Sequence, residues 1–295
     1  AQACSGLCIS QLCAMGGDAF LCGGLAGAVG SFATQPLDTI RIKMQTMAAP
    51  RRPAAPSSGT MSFLGAVLQR EGALGLYKGV LAPVAAAGPR SACIFAGYDV
   101  ALRLRGGCGL GDHALAGAAG GLLAAPVTNS MELVKCRAQV SKSCSSSSVA
   151  GVEMQIFSRL WRQEGLRGLA CGLPLTLARE VLYRAIYFGA YEATARTLDA
   201  GSRPGGRRKL HTSLLAGGLA GVVAWLPVYP VDVIKTHWQT GRRFNSTTIL
   251  GLLRNGLVAE GPQWLARGLA PTLVRTWPLN AIVFTLYERL QAMRR

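Results

Sequence analysis

Pro36-Leu37-Asp38-Thr39-Ile40-Arg41-Ile42-Lys43-Met44-Gln45 sets the frame for the whole chain, because it comes back twice. Residues 130 to 139 read Ser-Met-Glu-Leu-Val-Lys-Cys-Arg-Ala-Gln, and residues 230 to 239 read Pro-Val-Asp-Val-Ile-Lys-Thr-His-Trp-Gln. Each copy carries an acid at its third place, a base at its sixth and Gln at its tenth. Pro opens two copies, and Ser130 opens the middle one. An internal repeat organises a fold before any local signal does.

The surroundings repeat too. Gly27 and Gly23, Gly121 and Gly117, and Gly221 and Gly217 lie nine and thirteen residues upstream of the three first places. That is small-xxx-small spacing, which lets helix backbones approach closely in a membrane. Downstream stand Glu71-Gly72, Glu164-Gly165 and Glu260-Gly261, followed by Gly79, Gly172 and Gly268. The chain therefore divides into a tail, 1–15, and three units: 16–107, 108–203 and 204–295.

Half of the 295 residues are apolar, 15% are charged, and Gly occurs 37 times. This argues for a membrane protein. The net charge of +17 would suit nucleic acid, but no basic stripe interleaved with aromatics appears. Attraction to an anionic lipid surface fits better. Cys4, Cys8, Cys13 and Cys22 crowd the start without a Cys-x-x-Cys pair or neighbouring His, so no metal site is expected. Cys93, Cys136 and Cys171 read as packing residues. Residues 1 to 15 read as a loosely ordered tail with neither an Arg-rich transit pattern nor a secretion signal.

Six apolar runs follow, in three pairs. The first, third and fifth (19–38, 114–131, 212–231) are free of charge until they meet the repeat motif. The second, fourth and sixth (79–98, 169–191, 268–287) carry Arg90, then Arg179, Glu180 and Arg184, then Arg275. Each run is long enough to cross a bilayer core. An ionisable residue at that depth is costly and is a functional candidate by default. The stretches between runs read as loops rich in Pro, Ser and basic residues, with 61–70 as an amphipathic interfacial helix. Basic residues divide evenly between the two sets of loops, so charge alone does not orient the chain.

An acid and a base three residues apart share one helix face. Three such faces around one axis would form a ring of three carboxylates and three cations. Buried ions must pair, so the ring would close one end of a central cavity and open it when the pairs break. His113, His211 and His237 are scattered, and no phosphate-cradling or nucleophile motif appears. An enzyme is therefore not expected, and no cofactor is implied.

The three copies resemble the signature of the mitochondrial carrier family, from about residue 16 to the end. The resemblance implies an all-α membrane protein: a six-helix transmembrane bundle of three tandem two-helix repeats with threefold pseudosymmetry. It implies a matrix gate of Asp38 with Lys135, Glu132 with Lys235, and Asp232 with Arg41, braced by Gln45, Gln139 and Gln239. A cytoplasmic gate would use Tyr98-Asp99, Tyr191-Glu192 and Tyr287-Glu288. There the usual base is displaced: Leu102, Ala195 and Gln291 hold its place, and Arg103 and Arg196 stand one residue later, so that gate is expected to be weak. A cardiolipin-type lipid element survives in Tyr77-Lys78-Gly79 and partly in Cys171-Gly172 and Arg267-Gly268. The implied protein is a monomer in the mitochondrial inner membrane, with a small-molecule substrate and no nucleic acid partner.

For substrate, the resemblance points to Arg179, Glu180 and Arg275, with Arg90 one turn beyond Ala86, and Trp225 reads as either a cation-binding face on the cavity wall or a core residue. Arg179 would hold a carboxylate and Glu180 an amino group. Several stretches resemble ornithine and basic amino acid carriers, among them Gln35-Pro36-Leu37-Asp38-Thr39 and Arg179-Glu180-Val181. Ornithine carriers have Glu where this chain has Arg90. Amino acid exchange by alternating access is the leading expectation. A carrier for acylcarnitines or carboxylates, and an ion or proton leak protein on the same fold, remain as alternatives.

Overall fold

The computed structural model describes residues 16–46, 60–106, 109–140, 149–198, 210–241 and 247–292. The N-terminal tail, the Ser-rich stretch 141–148 and most of the loops 46–62 and 199–210 lie outside the described residues. The described residues form α1 (Gly16–Thr46), α2 (Thr60–Glu71), α3 (Leu81–Arg105), α4 (Leu110–Val140), α5 (Val149–Leu169), α6 (Leu173–Leu198), α7 (Leu210–Gln239), α8 (Ile249–Glu260) and α9 (Leu269–Ala292). No strand occurs among them. The fold is an all-α bundle of six long helices with three short ones.

The long helices close into a ring: α1 packs on α3, α3 on α4, α4 on α6, α6 on α7, α7 on α9, and α9 back on α1. By length and apolarity alone, only the α3 stretch Ala73–Arg105 and the α7 stretch Thr212–Gln239 qualify as spans among the described residues, at mean hydropathies of 1.3 and 1.7. Glycine and inward-facing charge lower the average in the others. Outward, each helix still presents Leu, Val or Phe, such as Phe32, Leu122, Leu182, Leu226 and Val274, as lipid requires.

The fifth place of the motif explains how the short helices dock. Ile40, Val134 and Ile234 are all buried there. Ile40 packs with Val67 of α2 and Leu76, Val134 with Leu160 of α5 and Leu169, and Ile234 with Leu252 of α8 and Trp264. Each such side chain contributes about 1.5–3 kcal/mol by leaving water. The motif thus carries charge on one face and a small core on the other.

Both shared glycine sets occupy left-handed backbone. Gly72, Gly165 and Gly261 have φ of 69°, 57° and 74°, and Gly79, Gly172 and Gly268 have 84°, 78° and 80°. Gly72 and Gly261 follow the ends of α2 and α8, and Gly165 kinks α5 near its end. The second set turns the chain into the next long helix. Close approach is the other use of glycine: a Cβ on Gly121 of α4 would sit 2.6 Å from the Glu180 carbonyl oxygen of α6, well inside van der Waals contact.

The middle repeat departs in one respect. Its proline, Pro126, sits one turn before Ser130 and lies within α4. Ser130 Oγ donates to the Pro126 carbonyl at 3.1 Å.

Candidate functional site

The sixth and third places of the motif meet across the bundle axis. Lys135 Nζ donates to Asp38 Oδ2 at 2.6 Å, joining α4 to α1. Lys235 bonds Glu132, joining α7 to α4. Arg41 bonds Asp232, joining α1 to α7. All of these groups are buried except Glu132, which is half-buried. A ring of three interhelical ion pairs therefore ties the three odd-numbered spans at the end where α2, α5 and α8 dock.

Two arginines from the other three spans enter the same ring. Arg179 of α6 donates through Nη2 to both oxygens of Glu132, at 2.8 and 2.9 Å, and to Glu180 at 2.6 Å. Its Nη1 stands 3.8 Å from Asp232. Arg275 of α9 lies 2.7 Å from Asp38 Oδ1. Every ring carboxylate thus faces more than one cation, which offsets the cost of leaving water. The motif alone does not show this. The signal was available in helix polarity: side chains lean toward the N-terminus of their helix, and α6 and α9 begin at the ring end.

The glutamines split. Gln45 Nε2 donates to Asp232 Oδ2 at 3.1 Å and to Tyr229 Oη at 2.9 Å, so it touches a ring acid. Gln139 instead donates to Thr39 Oγ1 and Gln239 to Asn129 Oδ1, each at 2.9 Å. Asp38 and Glu132 each have two cations at hydrogen-bond distance, which leaves little lone-pair capacity for an amide, whereas the second cation on Asp232, Arg179, stands off at 3.8 Å.

A further set, which the motif reading passes over, ties each odd span to the start of the next span. Gln35, Asn129 and Tyr229, the residues just before the first place, donate to the backbone carbonyls of Lys78, Leu169 and Arg267 at 3.1, 2.7 and 2.6 Å. Glu153 of α5 adds a fourth tie. Its carboxylate accepts from the backbone N–H groups of Leu81 and Ala82 at 3.1 and 2.8 Å, capping the positive end of α3.

The remaining candidate residues are distributed as follows. Glu180 is held by Arg179 and, at 3.4 Å, by Arg184. Arg90 is half-buried, makes no ion pair among the described residues, and has a buried Nε–H with no hydrogen-bond partner. Trp225 is buried in the α7–α8 cluster. Its ring face carries the Arg41 guanidinium at 4.5 Å, so its cation is supplied by the chain itself.

At the opposite end, Tyr98 bonds His113 and packs on Phe188, its ring centroid 4.6 Å away. Asp99 pairs with Arg103, and Glu192 with Arg196, each at 2.8 Å and four residues along the same helix. Tyr191 packs on Ala216 and Ala220 of α7. The side chains of Tyr287 and Glu288 lie outside the described residues.

Comparison with known proteins agrees with this geometry. The family model described as "Mitochondrial carrier protein" matches three times, at residues 16–107, 108–201 and 206–295. The chain belongs to the mitochondrial carrier family. Carriers of this family are transporters of small molecules, and this one is a multi-pass protein of the mitochondrial inner membrane. Among its relatives, the "Mitochondrial basic amino acids transporter" of Homo sapiens is 33% identical over 90% of this chain and 86% of its own length. The "Mitochondrial arginine transporter BAC2" of Arabidopsis thaliana is 32% identical over 92% and 90%. A "Mitochondrial carnitine/acylcarnitine carrier-like protein" of the same plant is 35% identical over 90% and 94%.

Proposed function

We propose that this carrier exchanges amino acids by alternating access, with the three-pair ring as its matrix gate and Arg179 with Glu180 at the centre of its substrate site. One observation carries the reading: a single nitrogen of Arg179 serves both Glu132 of the ring and Glu180 of the site. A substrate carboxylate that draws Arg179 to itself takes a partner from Glu132. The gate then loosens only when substrate is bound. That is the differential free energy an exchange cycle requires. At the other end, Asp99 bonds within its own helix, which supports an outward-open form with a weak cytoplasmic lock.

The names of the basic amino acid and arginine relatives support an amino acid as substrate. The acylcarnitine-type relative, at 35% identity, keeps a bulkier zwitterion as the second reading. No covalent chemistry is assigned to the site. Homo-exchange of labelled amino acids by the purified carrier in liposomes, lost in Arg179→Ala, is the expected result. Current without counter-substrate would instead make the protein a leak.

Lipid contact at Tyr77-Lys78-Gly79 belongs to the same proposal, with cardiolipin as the ligand and the monomer as the working unit. At this position Glu153 already occupies the first backbone N–H groups of α3. Stabilisation by cardiolipin should therefore depend more on the starts of α6 and α9. Thermal melting against added cardiolipin, in wild type and Glu153→Gln, measures it.

A further inference from the structure

The charges left over inside the bundle select among amino acids. The ring acids Asp38, Glu132 and Asp232 balance Arg41, Lys135 and Lys235. What remains at mid-span is Arg90, Arg179, Arg184 and Arg275 against Glu180 alone. Four guanidiniums counted against one carboxylate leave a surplus of three positive charges.

The bonds sharpen the count. Glu180 is already taken by Arg179 and Arg184, and Arg275 rests on Asp38. Arg90 makes no ion pair among the described residues. The charges acting on it are those of Arg184, Glu180, Glu132 and Arg275. The Nε–H groups of Arg90, Arg179 and Arg275 are all buried without an acceptor among the described residues. Buried donors of this kind are satisfied by oxygen, and a guanidinium pairs best with a carboxylate.

We propose that the preferred substrate is an acidic amino acid, with two carboxylates and one amine. This rests on the amino acid exchange proposed above and narrows it. The α-carboxylate draws Arg179 to itself and takes the free donors of Arg179 and Arg275, the amine takes the Glu180 oxygen that Arg179 releases, and the second carboxylate takes Arg90 beside Arg184. A dibasic amino acid reverses the last contact. Its second ammonium meets Arg90 with no unpaired acid among the described residues to receive it. Like charges in such a setting disfavour binding by roughly a hundredfold. A neutral side chain leaves Arg90 without its acceptor. The departure from the basic substrates named for two of the relatives thus follows from one side chain on α3.

The test is exchange by the purified full chain in phosphatidylcholine–cardiolipin vesicles, with labelled aspartate, alanine and arginine compared under homo-exchange. Aspartate exchange exceeding arginine exchange by at least about tenfold, reversed in Arg90→Glu, is the expected result. Arg90→Gln keeps the size of the site without its charge, and in it the preference should shrink without reversing. Its thermal melting reports folding independently of transport. Arginine exchanged as fast as aspartate by the wild type overturns the acidic assignment and leaves amino acid exchange standing. A preference unchanged in a folded Arg90→Gln overturns the role of Arg90. Absence of exchange for all three amino acids, in vesicles where the carrier remains folded, overturns the amino acid reading itself.

Discussion

Arg275 Nη1 lies 2.7 Å from Asp38 Oδ1, on the oxygen that Lys135, bonded to Oδ2 at 2.6 Å, leaves open. The two cations come from different spans, α9 and α4, and converge on one carboxylate of α1. Arg275→Ala should therefore weaken the ring as well as the substrate site. Removing one partner of a buried charge costs about 3–5 kcal/mol, and Lys135 still compensates part of it. A loss of about 2 kcal/mol is expected, read as a lower melting temperature of the detergent-solubilised protein together with loss of exchange. Melting unchanged by the mutation would show that Arg275 does not hold the ring.

Gln45 and Gln139 hold equivalent positions but have different partners. Gln45 touches Asp232 and Tyr229, whereas Gln139 touches Thr39. Gln45→Ala removes a charge-assisted hydrogen bond from a ring acid and should cost about 1.5–3 kcal/mol. Gln139→Ala removes a bond between neutral groups and should cost about 1 kcal/mol. Because the first change loosens the closed ring itself, Gln45→Ala is expected to reach the open form more readily. Its exchange rate at saturating substrate should equal or exceed the wild type's, and that of Gln139→Ala should follow stability alone. Equal behaviour in both variants would remove the distinction.

Much of this architecture was legible in the residues, for a physical reason. A ring of buried charges needs its members at matching depth, and the motif repeats its acid and base in register with the glycines. The six spans and a ring of paired acids and bases followed from that register, and the resemblance to mitochondrial carriers supplied the partners Lys135, Lys235 and Arg41. What escaped the register was the reach of side chains from the other spans. Arg179 and Arg275 look like isolated mid-span charges along the chain, and their leaning toward the helix starts brings them onto Glu132 and Asp38. The glutamines escaped because their partners depend on how many cations each acid already holds. Glu153 escaped because its targets, Leu81 and Ala82, are more than seventy residues away and are backbone groups, which leave no pattern in sequence.

Gly79 tests the turn into the second span. Its φ is +84°, and an added Cβ would lie 3.1 Å from the Lys135 carbonyl oxygen and 3.1 Å from Lys135 Cγ. A side chain in left-handed backbone costs about 1–2 kcal/mol, and the contact with Lys135 adds to it. Gly79→Ala should destabilise by about 2–3 kcal/mol and disturb the Lys135–Asp38 pair. Gly65→Ala makes the control, since nothing lies within 4 Å of a Cβ there and alanine favours the helix by about 0.8–1 kcal/mol. The two variants should move the melting temperature in opposite directions.

Glu153 joins units that the repeat keeps separate. The residue sits on α5 of the second repeat and caps α3 of the first, with both carboxylate oxygens engaged and the side chain buried. Loss of an N-terminal cap costs about 0.5–2 kcal/mol. Here the charge also faces the positive end of the helix, which adds about 0.3–1 kcal/mol. Glu153→Ala should therefore lower stability by about 2 kcal/mol. Glu153→Gln keeps one accepting oxygen and should recover roughly half of that. A gate that opens by moving the repeats apart must carry this clamp with it or break it. If the clamp breaks during the cycle, Glu153→Ala speeds exchange per folded carrier; if it is carried, exchange per folded carrier stays as in the wild type and only the melting temperature falls. Exchange that falls further than the folded fraction would mean that the clamp positions α3 for transport, with Arg90 on that helix as the first residue to be displaced.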